Sequence, residues 1–261
     1  MIFLKLGGSL ITEKDKPETC RHATLQRLAS EIAEAIDRKP DLRLLLGHGS
    51  GSFGHYAAAR HATHLGAATP ADWHGFAEVW RAAQHLHRLV IDALSASGLP
   101  TIGFPPSATA VCSEGKIHTM AIEPLQRTLE AGLLPVVHGD VSFDRKLGAT
   151  ILSTESIFTY LATRMRPNRI LLAGLEAGVY AHYPASNEIL TVLTKDLIPD
   201  LRIEGAHAPD VTGGMLGKIE SALDIAHLDP SIEVRIFSGE EPGAVAAALM
   251  GASPGTLISS E

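Results

Sequence analysis

The chain has 261 residues, of which 45% are hydrophobic and 5% aromatic, and its formal net charge is −7 at pH 7. These values predict a globular α/β protein with a substantial core, built as one large domain or as two joined halves. The negative charge argues against general binding to nucleic acid or to an anionic membrane. An anionic substrate would therefore have to be attracted by a local cluster of cations.

The cysteines and the N-terminal segment favour a cytoplasmic protein. Cys20 and Cys112 lack the spacing of metal ligands and are expected to be free thiols in a reducing compartment. The apolar segment 1–6 is too short for a signal peptide. No uninterrupted apolar run reaches about 18 residues, so the sequence predicts no membrane span.

Apolar periodicity predicts strands that alternate with helices along the chain. In the first half we expect strands at 2–6, 42–46, 101–104 and 133–137, and helices at 22–36, 71–94 and 123–131. A hairpin is expected at 108–118, with its turn at Glu114-Gly115. In the second half we expect helices at 155–165, 214–227 and 243–250, and strands at 169–173, 233–237 and 256–258.

This alternation indicates a mostly parallel sheet with helices on both faces. Such sheets bind ligands at the carboxyl ends of their strands. Glycines follow the first two predicted strands, at Gly7-Gly8 and from Gly47 onward. The sequence therefore predicts a ligand site at that edge.

Three glycine-rich segments each contain cationic residues: KLGGS at 5–9, GHGSGSFGH at 47–55 and DVTGGMLGK at 210–218. Glycine lets backbone N–H groups approach a ligand closely, and loops of such groups bind anions. The second and third segments lead into predicted helices, whose N-termini add partial positive charge. Together the three segments suit a substrate with several phosphates, and they predict phosphoryl transfer.

Each cation also has a purely structural interpretation. Lys5 could be an edge-strand lysine that reaches solvent, and His55 could lie on a helix surface as one of 13 histidines. His48 could contact phosphate or hydrogen-bond within its turn. Lys218 could be a solvated side chain, but it falls near the start of a helix, where a cation is unfavourable by about 0.3 kcal/mol or more unless an anion binds beside it. This last point favours a phosphate-binding role for Lys218.

Read together, these segments resemble the amino acid kinase family, in the family's order and over nearly the whole chain. The matching segments are 5–14, 49–55, 74–76, 138–141 with Asp144, 178–180 and 210–218. The Gly-Ser-Phe-Gly-His segment is the most specific, because its histidine marks the branch whose acceptors carry a phosphate or phosphonate. The resemblance implies a three-layer α/β/α sandwich, with the acceptor bound by 1–138 and ATP by 139–261. We also expect a homodimer.

The resemblance implies roles for individual residues. Lys5 and Lys218 would stabilise the transferred phosphoryl group, Lys14 would reach the ATP phosphates and His55 would bind the acceptor phosphate. The acceptor site would further include Gly49, Ser50, Gly51, Gly54, Gly139 and Asp140. The nucleotide site would include Gly7, Gly8, Ser9, Gly174, Gly178, Tyr180, Asp210, Gly213, Gly214 and Lys218. No side chain is expected to bind a metal directly.

Two segments depart from the family's pattern. Ser153-Thr154-Glu155 stands where family members have Ser-Gly-Asp, whose aspartate holds the two catalytic lysines. Glu155 keeps the charge on a longer arm and is the expected organiser of the lysines. Residues 174–178 lack the acidic Asp-x-Asp-Gly pattern that is usual there, which leaves the base preference of the nucleotide site open.

Within the family, the motifs are most similar to the branch that phosphorylates isopentenyl phosphate. This implies isoprenoid biosynthesis, with ATP and Mg²⁺ as cofactors and isopentenyl diphosphate as product. A phosphate monoester has a second pKa near 6 and is largely dianionic at pH 7, so it needs no general base. It needs screening of two anions, which the lysines, His55 and the Mg²⁺ on ATP would supply.

Four further hypotheses stay open from the sequence. The side chains of Phe76, Val79 and Ala83 share a helix face and could line a pocket for the isoprenoid tail, or they could be ordinary core. A phosphonate (fosfomycin-type) kinase of the same fold would use the same His55. The chain could instead be a nucleotide-binding regulator that is catalytically idle, because Glu155 and Ala177 depart from the family's pattern. A carboxylate kinase would need an arginine clamp that the sequence does not locate.

Overall fold

The computed structural model describes residues 1–181, 188–200 and 214–260. The described strands are β1 (Ile2–Leu6), β2 (Leu44–His48), β3 (Thr101–Phe104), β4 (Ala110–Ser113), β5 (Lys116–Met120), β6 (Leu134–His138), β7 (Asp140–Asp144), β8 (Gly148–Leu152), β9 (Arg169–Gly174), β10 (Val192–Leu193), β11 (Glu233–Ser238) and β12 (Thr256–Ile258). The described α-helices are α1 (Gly8–Ile11), α2 (His22–Arg38), α3 (Gly51–His61), α4 (Pro70–Ala96), α5 (Pro106–Thr109), α6 (Glu123–Glu130), α7 (Thr154–Met165), α8 (Gly214–Leu228) and α9 (Ala244–Leu249). Short 3₁₀ helices cover Thr63–Leu65 and Lys195–Asp200.

The central sheet has eight strands in the order β10-β12-β11-β9-β1-β2-β6-β3. Neighbouring strands are parallel except for β11 and β12, which are antiparallel. Strand β1 lies between β2 and β9, so one sheet runs through both halves of the chain. The predicted mostly parallel sheet is confirmed.

Alternate residues of β1 enter two different cores. Leu4 and Leu6 pack with side chains of α2, α4 and α9 on one face of the sheet. Phe3 packs on the other face with side chains of α6, α7 and α8. Helices therefore cover both faces, and the predicted three-layer α/β/α sandwich is confirmed. None of the described helices combines the length and the apolar character needed to cross a membrane.

A second sheet, in the order β5-β4-β7-β8, was only half predicted. Its β4–β5 hairpin was expected, and Glu114 and Gly115 of the turn have φ of +54° and +77°. The β7–β8 hairpin was missed because its pattern is inverted: Ser142 and Asp144 are buried, whereas Phe143 is exposed. Hydrophobic alternation cannot reveal a strand whose polar side chains face inward.

The buried charge of Asp144 in this second sheet is stabilised by backbone hydrogen bonds. Its carboxylate accepts hydrogen bonds from the backbone N–H groups of Glu114, Gly115, Lys146 and Leu147, at 2.8–3.1 Å. Burial acts to raise the pKa of Asp144, but these backbone donors outweigh it and hold the pKa below its ordinary value. The residue therefore fixes the turns of both hairpins.

Candidate active site

The register of the central sheet brings four glycines to one edge. Leu6 lies opposite His48 on β2 and Ala173 on β9, and His48 lies opposite His138 on β6. Gly7, Gly49 and Gly139 directly follow β1, β2 and β6, and Gly174 is the last residue of β9. The predicted position of the first two glycine segments at a common sheet edge is confirmed.

The first two glycine segments touch each other through their backbones. A Cβ atom on Gly8 would lie 2.5 Å from the Gly51 nitrogen, and one on Gly49 would lie 2.7 Å from the Gly8 nitrogen. Gly51 has φ of +49°, and a Cβ there would lie 2.3 Å from Thr12 Oγ1. Side chains at these positions would force the segments apart. Glycine is required here because two sets of main-chain donors must share one small space.

Thr12 joins the two segments and was not predicted. Its Oγ1 donates to the Gly8 carbonyl at 2.8 Å and accepts from the Ser52 N–H at 3.0 Å. Its spacing of four residues from Gly8 matches a hydroxyl that bonds to the carbonyl of the preceding turn. That spacing was the available signal, but the contact to Ser52 is tertiary and has no local signature.

Lys5 and Glu155 form a buried ion pair at the base of these segments. Their side chains are 8% and 7% exposed, and Lys5 Nζ donates to Glu155 Oε1. Glu155 lies in the first turn of α7, whose N-cap Ser153 accepts a hydrogen bond from the Ser156 N–H at 3.0 Å. The alternative of a Lys5 that reaches solvent is wrong, because the side chain is buried and paired.

The charge on Glu155 is stabilised by more than one cation. Burial acts to raise the pKa of Glu155, but the charge and hydrogen bond of Lys5 outweigh it, and the charge of Lys218 also lowers it. The carboxylate is therefore ionised and lies in the field of both predicted catalytic lysines. This is the arrangement expected of an organiser, although its catalytic role stays a prediction.

The remaining predicted cations lie on three separate elements. Lys218 is in the second turn of α8 and is partly buried. His55 is partly buried on α3, one turn after Gly51, where the helix begins. Lys14 is exposed on the loop after α1, where its carbonyl oxygen accepts from the Tyr56 hydroxyl at 3.4 Å.

The nucleotide-side residues are only partly described. Asp210 and Gly213 lie outside the described residues, and Gly214 is the first residue of α8. Ser9 lies in α1, and the Gly7 N–H donates to the Ala173 carbonyl at 2.8 Å.

The segment after β9 gives Gly178 a packing explanation. A Cβ on Gly178 would lie 2.5 Å from Ile189 Cγ2 and 2.7 Å from Thr256 Oγ1. Tyr180 forms an isolated bridge with Ile189, and Gly174 accepts a hydrogen bond from the Gly239 N–H at 2.8 Å. The nucleotide-binding roles of these three residues stay predictions.

On the acceptor side, Asp140 is held by the protein itself. Its carboxylate accepts hydrogen bonds from Val141 N at 2.8 Å, Gln84 Nε2 at 3.0 Å and Ser107 Oγ at 3.0 Å. Gly139 donates its N–H to the His48 carbonyl at 3.1 Å. These contacts favour a supporting role for Asp140 over the predicted direct contact with the acceptor.

The predicted tail-binding residues are buried on α4, which packs against α3. Phe76 and Val79 belong to a small cluster separate from the two main cores, with Ala58, Ala67, Val141 and Ala149. Ala83 is buried but lies outside that cluster. The cluster adjoins the helix that carries His55, as a tail pocket requires, yet its packing is equally that of a core.

A model of the amino acid kinase family matches residues 1–238. The chain belongs to the amino acid kinase family. The resemblance drawn from the motifs is therefore confirmed.

Several relatives within this family match over nearly their whole length. Isopentenyl phosphate kinase from Methanothermobacter thermautotrophicus is 35% identical over 96% of each chain. The enzyme of the same name from Methanocaldococcus jannaschii is 31% identical, covering 99% of this chain and 98% of the relative. A crystal structure of isopentenyl phosphate kinase superposes with a TM-score of 0.84 at 32% identity, covering 99% of this chain and 100% of that chain. The product complex of the Thermoplasma acidophilum enzyme gives 0.77 at 26% identity, with 99% of each chain covered.

Proposed function

We propose that this protein transfers the terminal phosphoryl group of ATP to isopentenyl phosphate, giving isopentenyl diphosphate and ADP. The observation that carries the proposal is the buried Lys5–Glu155 pair beneath two touching glycine segments. Relatives that share nearly the whole chain are named isopentenyl phosphate kinases, which supports this acceptor.

The chemical task is to bring two anions into line. Two unit charges 4 Å apart repel by about 4 kcal/mol at an effective dielectric of about 20. Lys5 and Lys218 would offset this repulsion and stabilise the charge that develops on the transferred group. Glu155 holds the Lys5 ammonium in one position, so little reorganisation is needed during the reaction.

The acceptor needs binding more than activation. Its phosphate is already largely dianionic at pH 7, so it can attack without a general base. His55 and the backbone N–H groups of Ser50 and Gly51 would bind it, whereas the Gly49 N–H donates to the Leu6 carbonyl at 3.0 Å. Lys14, on its exposed loop, would reach the ATP phosphates.

Magnesium fits this site as a companion of ATP. When bound, Mg²⁺ supplies charge neutralisation on the phosphates. Glu155 is engaged by Lys5, and Asp140 is engaged by Gln84 and Ser107. These two carboxylates therefore have other partners, and the phosphates of ATP would hold the ion.

The two halves of the chain would divide the substrates between them. Residues 1–138 would bind the acceptor and residues 139–261 would bind the nucleotide. A homodimer is supported by the exposed side chains of Trp73, Phe143 and Leu147, which a second copy could cover. A cytoplasmic location is supported by two cysteines that form no disulfide. Sedimentation velocity tests the dimer.

The function is tested by incubating the protein with Mg-ATP and isopentenyl phosphate, dimethylallyl phosphate or fosfomycin in parallel. We expect ³¹P NMR to show a diphosphate ester from isopentenyl phosphate, with turnover lost in Lys5→Met. Turnover of fosfomycin alone would identify a phosphonate kinase. Nucleotide binding without turnover of any acceptor would identify a regulator. Either result would overturn the proposal.

A further inference from the structure

Three buried histidines lie directly beneath the acceptor-side glycine segment. His48 ends β2, His138 ends β6, and His87 lies on α4. Their exposed fractions are 0%, 0% and 6%, and one ring nitrogen from each lies within 4.8 Å of the others. Three imidazoles so close together and so far from water need a physical explanation.

The hydrogen bonds assign the proton on two of these rings. His48 Nδ1 lies 3.0 Å from the Gly49 carbonyl oxygen, which can only accept, so Nδ1 carries the proton. His48 Nε2 lies 3.0 Å from His87 Nδ1. In a neutral His48 this Nε2 must accept, so His87 Nδ1 donates. Burial lowers the pKa of His48 to about 3 and lowers that of His87 too, so both rings are neutral at pH 7.

The third ring is assigned through Gln84. Gln84 Nε2 lies 3.0 Å from an oxygen of Asp140, and a carboxylate oxygen needs a donor, so this atom is the amide nitrogen. The same nitrogen lies 3.1 Å from His138 Nε2 and donates to it. His138 Nε2 therefore accepts, and in the described residues His138 Nδ1 has no hydrogen-bond partner.

This arrangement does not fit a metal ion, although three histidines are a common ligand set. The near-parallel rings of His48 and His87 meet edge to edge, with centroids 5.3 Å apart, and His138 stacks on His87 at 4.0 Å. A ligating lone pair lies in the plane of its ring, and the planes of stacked rings do not converge on one point. The lone pairs of His48 Nε2 and His138 Nε2 are also already used.

The position of the proton on His48 affects the acceptor site through the Gly49–Ser50 peptide. A trans peptide is planar, so its N–H points away from its C=O. His48 holds the Gly49 carbonyl inward, and the Ser50 N–H therefore points the opposite way. In the described part of the chain, no hydrogen bond from this N–H is found. Glycine at position 49 leaves the peptide free to rotate unless something fixes it.

We propose that His48 and His87 are positioning residues that aim the Ser50 N–H at the acceptor phosphate. His48 fixes the peptide by donating to the Gly49 carbonyl. His87 acts one step further back: by donating to His48 Nε2, it keeps the His48 proton on Nδ1. If that proton moved to Nε2, Nδ1 would present a lone pair to the carbonyl and the peptide would turn. This inference rests on the proposed function, since it names the group that the N–H contacts.

The test exploits the fact that an asparagine amide can imitate the Nδ1–H of histidine without depending on a tautomer. His87→Leu removes the donor to His48, and we expect the KM for isopentenyl phosphate to rise about tenfold, as for loss of a hydrogen bond to a charged group, with kcat changed less than about threefold. His48→Asn keeps a donor for the Gly49 carbonyl and should stay near wild type. The double variant His48→Asn with His87→Leu should return to the KM of His48→Asn. A merely structural role for His87 predicts no such rescue, and its absence would overturn the proposal.

Two further measurements and a control variant separate the positioning role from a general loss of folding. If His87→Leu does not fold, His87→Asn keeps the donor to His48 and should preserve the KM, whereas a tenfold rise in this variant would refute the assignment. ¹⁵N NMR of the wild-type histidines should place the protons on Nδ1 of His48 and of His87; a proton on His48 Nε2 would overturn it. The same substitution at an exposed histidine, His64→Leu, is the control and should leave the KM unchanged.

Failure of this inference can be told apart from failure of the proposed function. Binding of inorganic phosphate, measured by calorimetry, needs no turnover and should weaken about tenfold in His87→Leu but not in the double variant. If the wild type does not phosphorylate isopentenyl phosphate, this binding pattern still tests the positioning role. Stoichiometric zinc that survives dialysis in the wild type and is lost in His87→Leu would show a metal site and contradict the proposal.

Discussion

Replacing Glu155 by glutamine removes one charge from a pair whose side chains are 8% and 7% exposed. Breaking a buried ion pair by removing one partner costs about 3–5 kcal/mol, because the other charge stays buried and uncompensated. Here the remaining charge is Lys5, and Lys218 adds a second positive charge nearby. We therefore expect Glu155→Gln to lower the free energy of unfolding by about 3 kcal/mol or more, measured by urea denaturation.

The same substitution should lower kcat more than it changes the KM for ATP, because it frees the ammonium that stabilises the transferred group. Glu155→Asp keeps the charge on a shorter arm and should recover part of both stability and turnover. Steady-state kinetics under conditions where each variant is folded separates the two effects.

Glu31→Gln is the matched control. Glu31 is a buried carboxylate on α2, paired with Arg27 at 2.5 Å, and it accepts from the N–H groups of Val245 and Ala246. The Glu31→Gln variant should be less stable than wild type but should keep its kcat. If Glu155→Gln stays within about 1 kcal/mol of wild type and keeps its kcat, then Glu155 neither stabilises the buried charge of Lys5 nor positions this lysine for catalysis.

His55→Ala should raise the KM for the acceptor at least about tenfold, whereas His55→Gln keeps a donor and should retain part of the affinity; equal kinetics in both would contradict acceptor binding by this residue. Lys218→Ala should lower kcat more than ATP affinity, which single-turnover kinetics and nucleotide titration can separate. Phe76→Ala should shift the preference toward longer prenyl phosphates, by up to about 0.8 kcal/mol per additional buried methylene; unchanged chain-length preference would assign the side chain to the core. Since burial lowers the pKa of His48 to about 3 and also lowers that of His87, while unfolded imidazoles titrate near 6.5, the unfolded chain binds more protons below that pH. The free energy of unfolding should therefore fall between pH 7 and pH 5 by about 2 kcal/mol for each of these histidines. In His87→Asn the total fall should be smaller by about 2 kcal/mol, because one of the two histidines is gone.

The sequence was most informative where function imposed local patterns. Strand β1 was predicted with its observed limits, and Lys5, separated by one residue from two glycines, already indicated a cation near a strand end. Glu155 could be proposed as the lysine organiser because its position in the motif pattern was known. The hairpin turn at Glu114-Gly115 followed from turn chemistry alone.

The sequence was least informative where contacts join distant segments. The meeting of Gly8 with Gly51 through Thr12 depends on the register of β1 and β2, and β2 was placed two residues too early. The histidine cluster draws on three elements that share no local signal. The repeated His-Gly at His48 and His138, each at the end of a strand, was a clue that could have linked two of them.

In the proposed reaction, two phosphates meet above the Lys5–Glu155 pair. A crystal structure with isopentenyl phosphate and a non-hydrolysable ATP analogue would show whether they do. We expect the acceptor phosphate to contact the glycine segment at 49–51 and His55, with the terminal phosphate of the nucleotide facing it across Lys5 Nζ. An acceptor phosphate bound away from this sheet edge, with Lys5 in contact with neither ligand, would contradict this expectation.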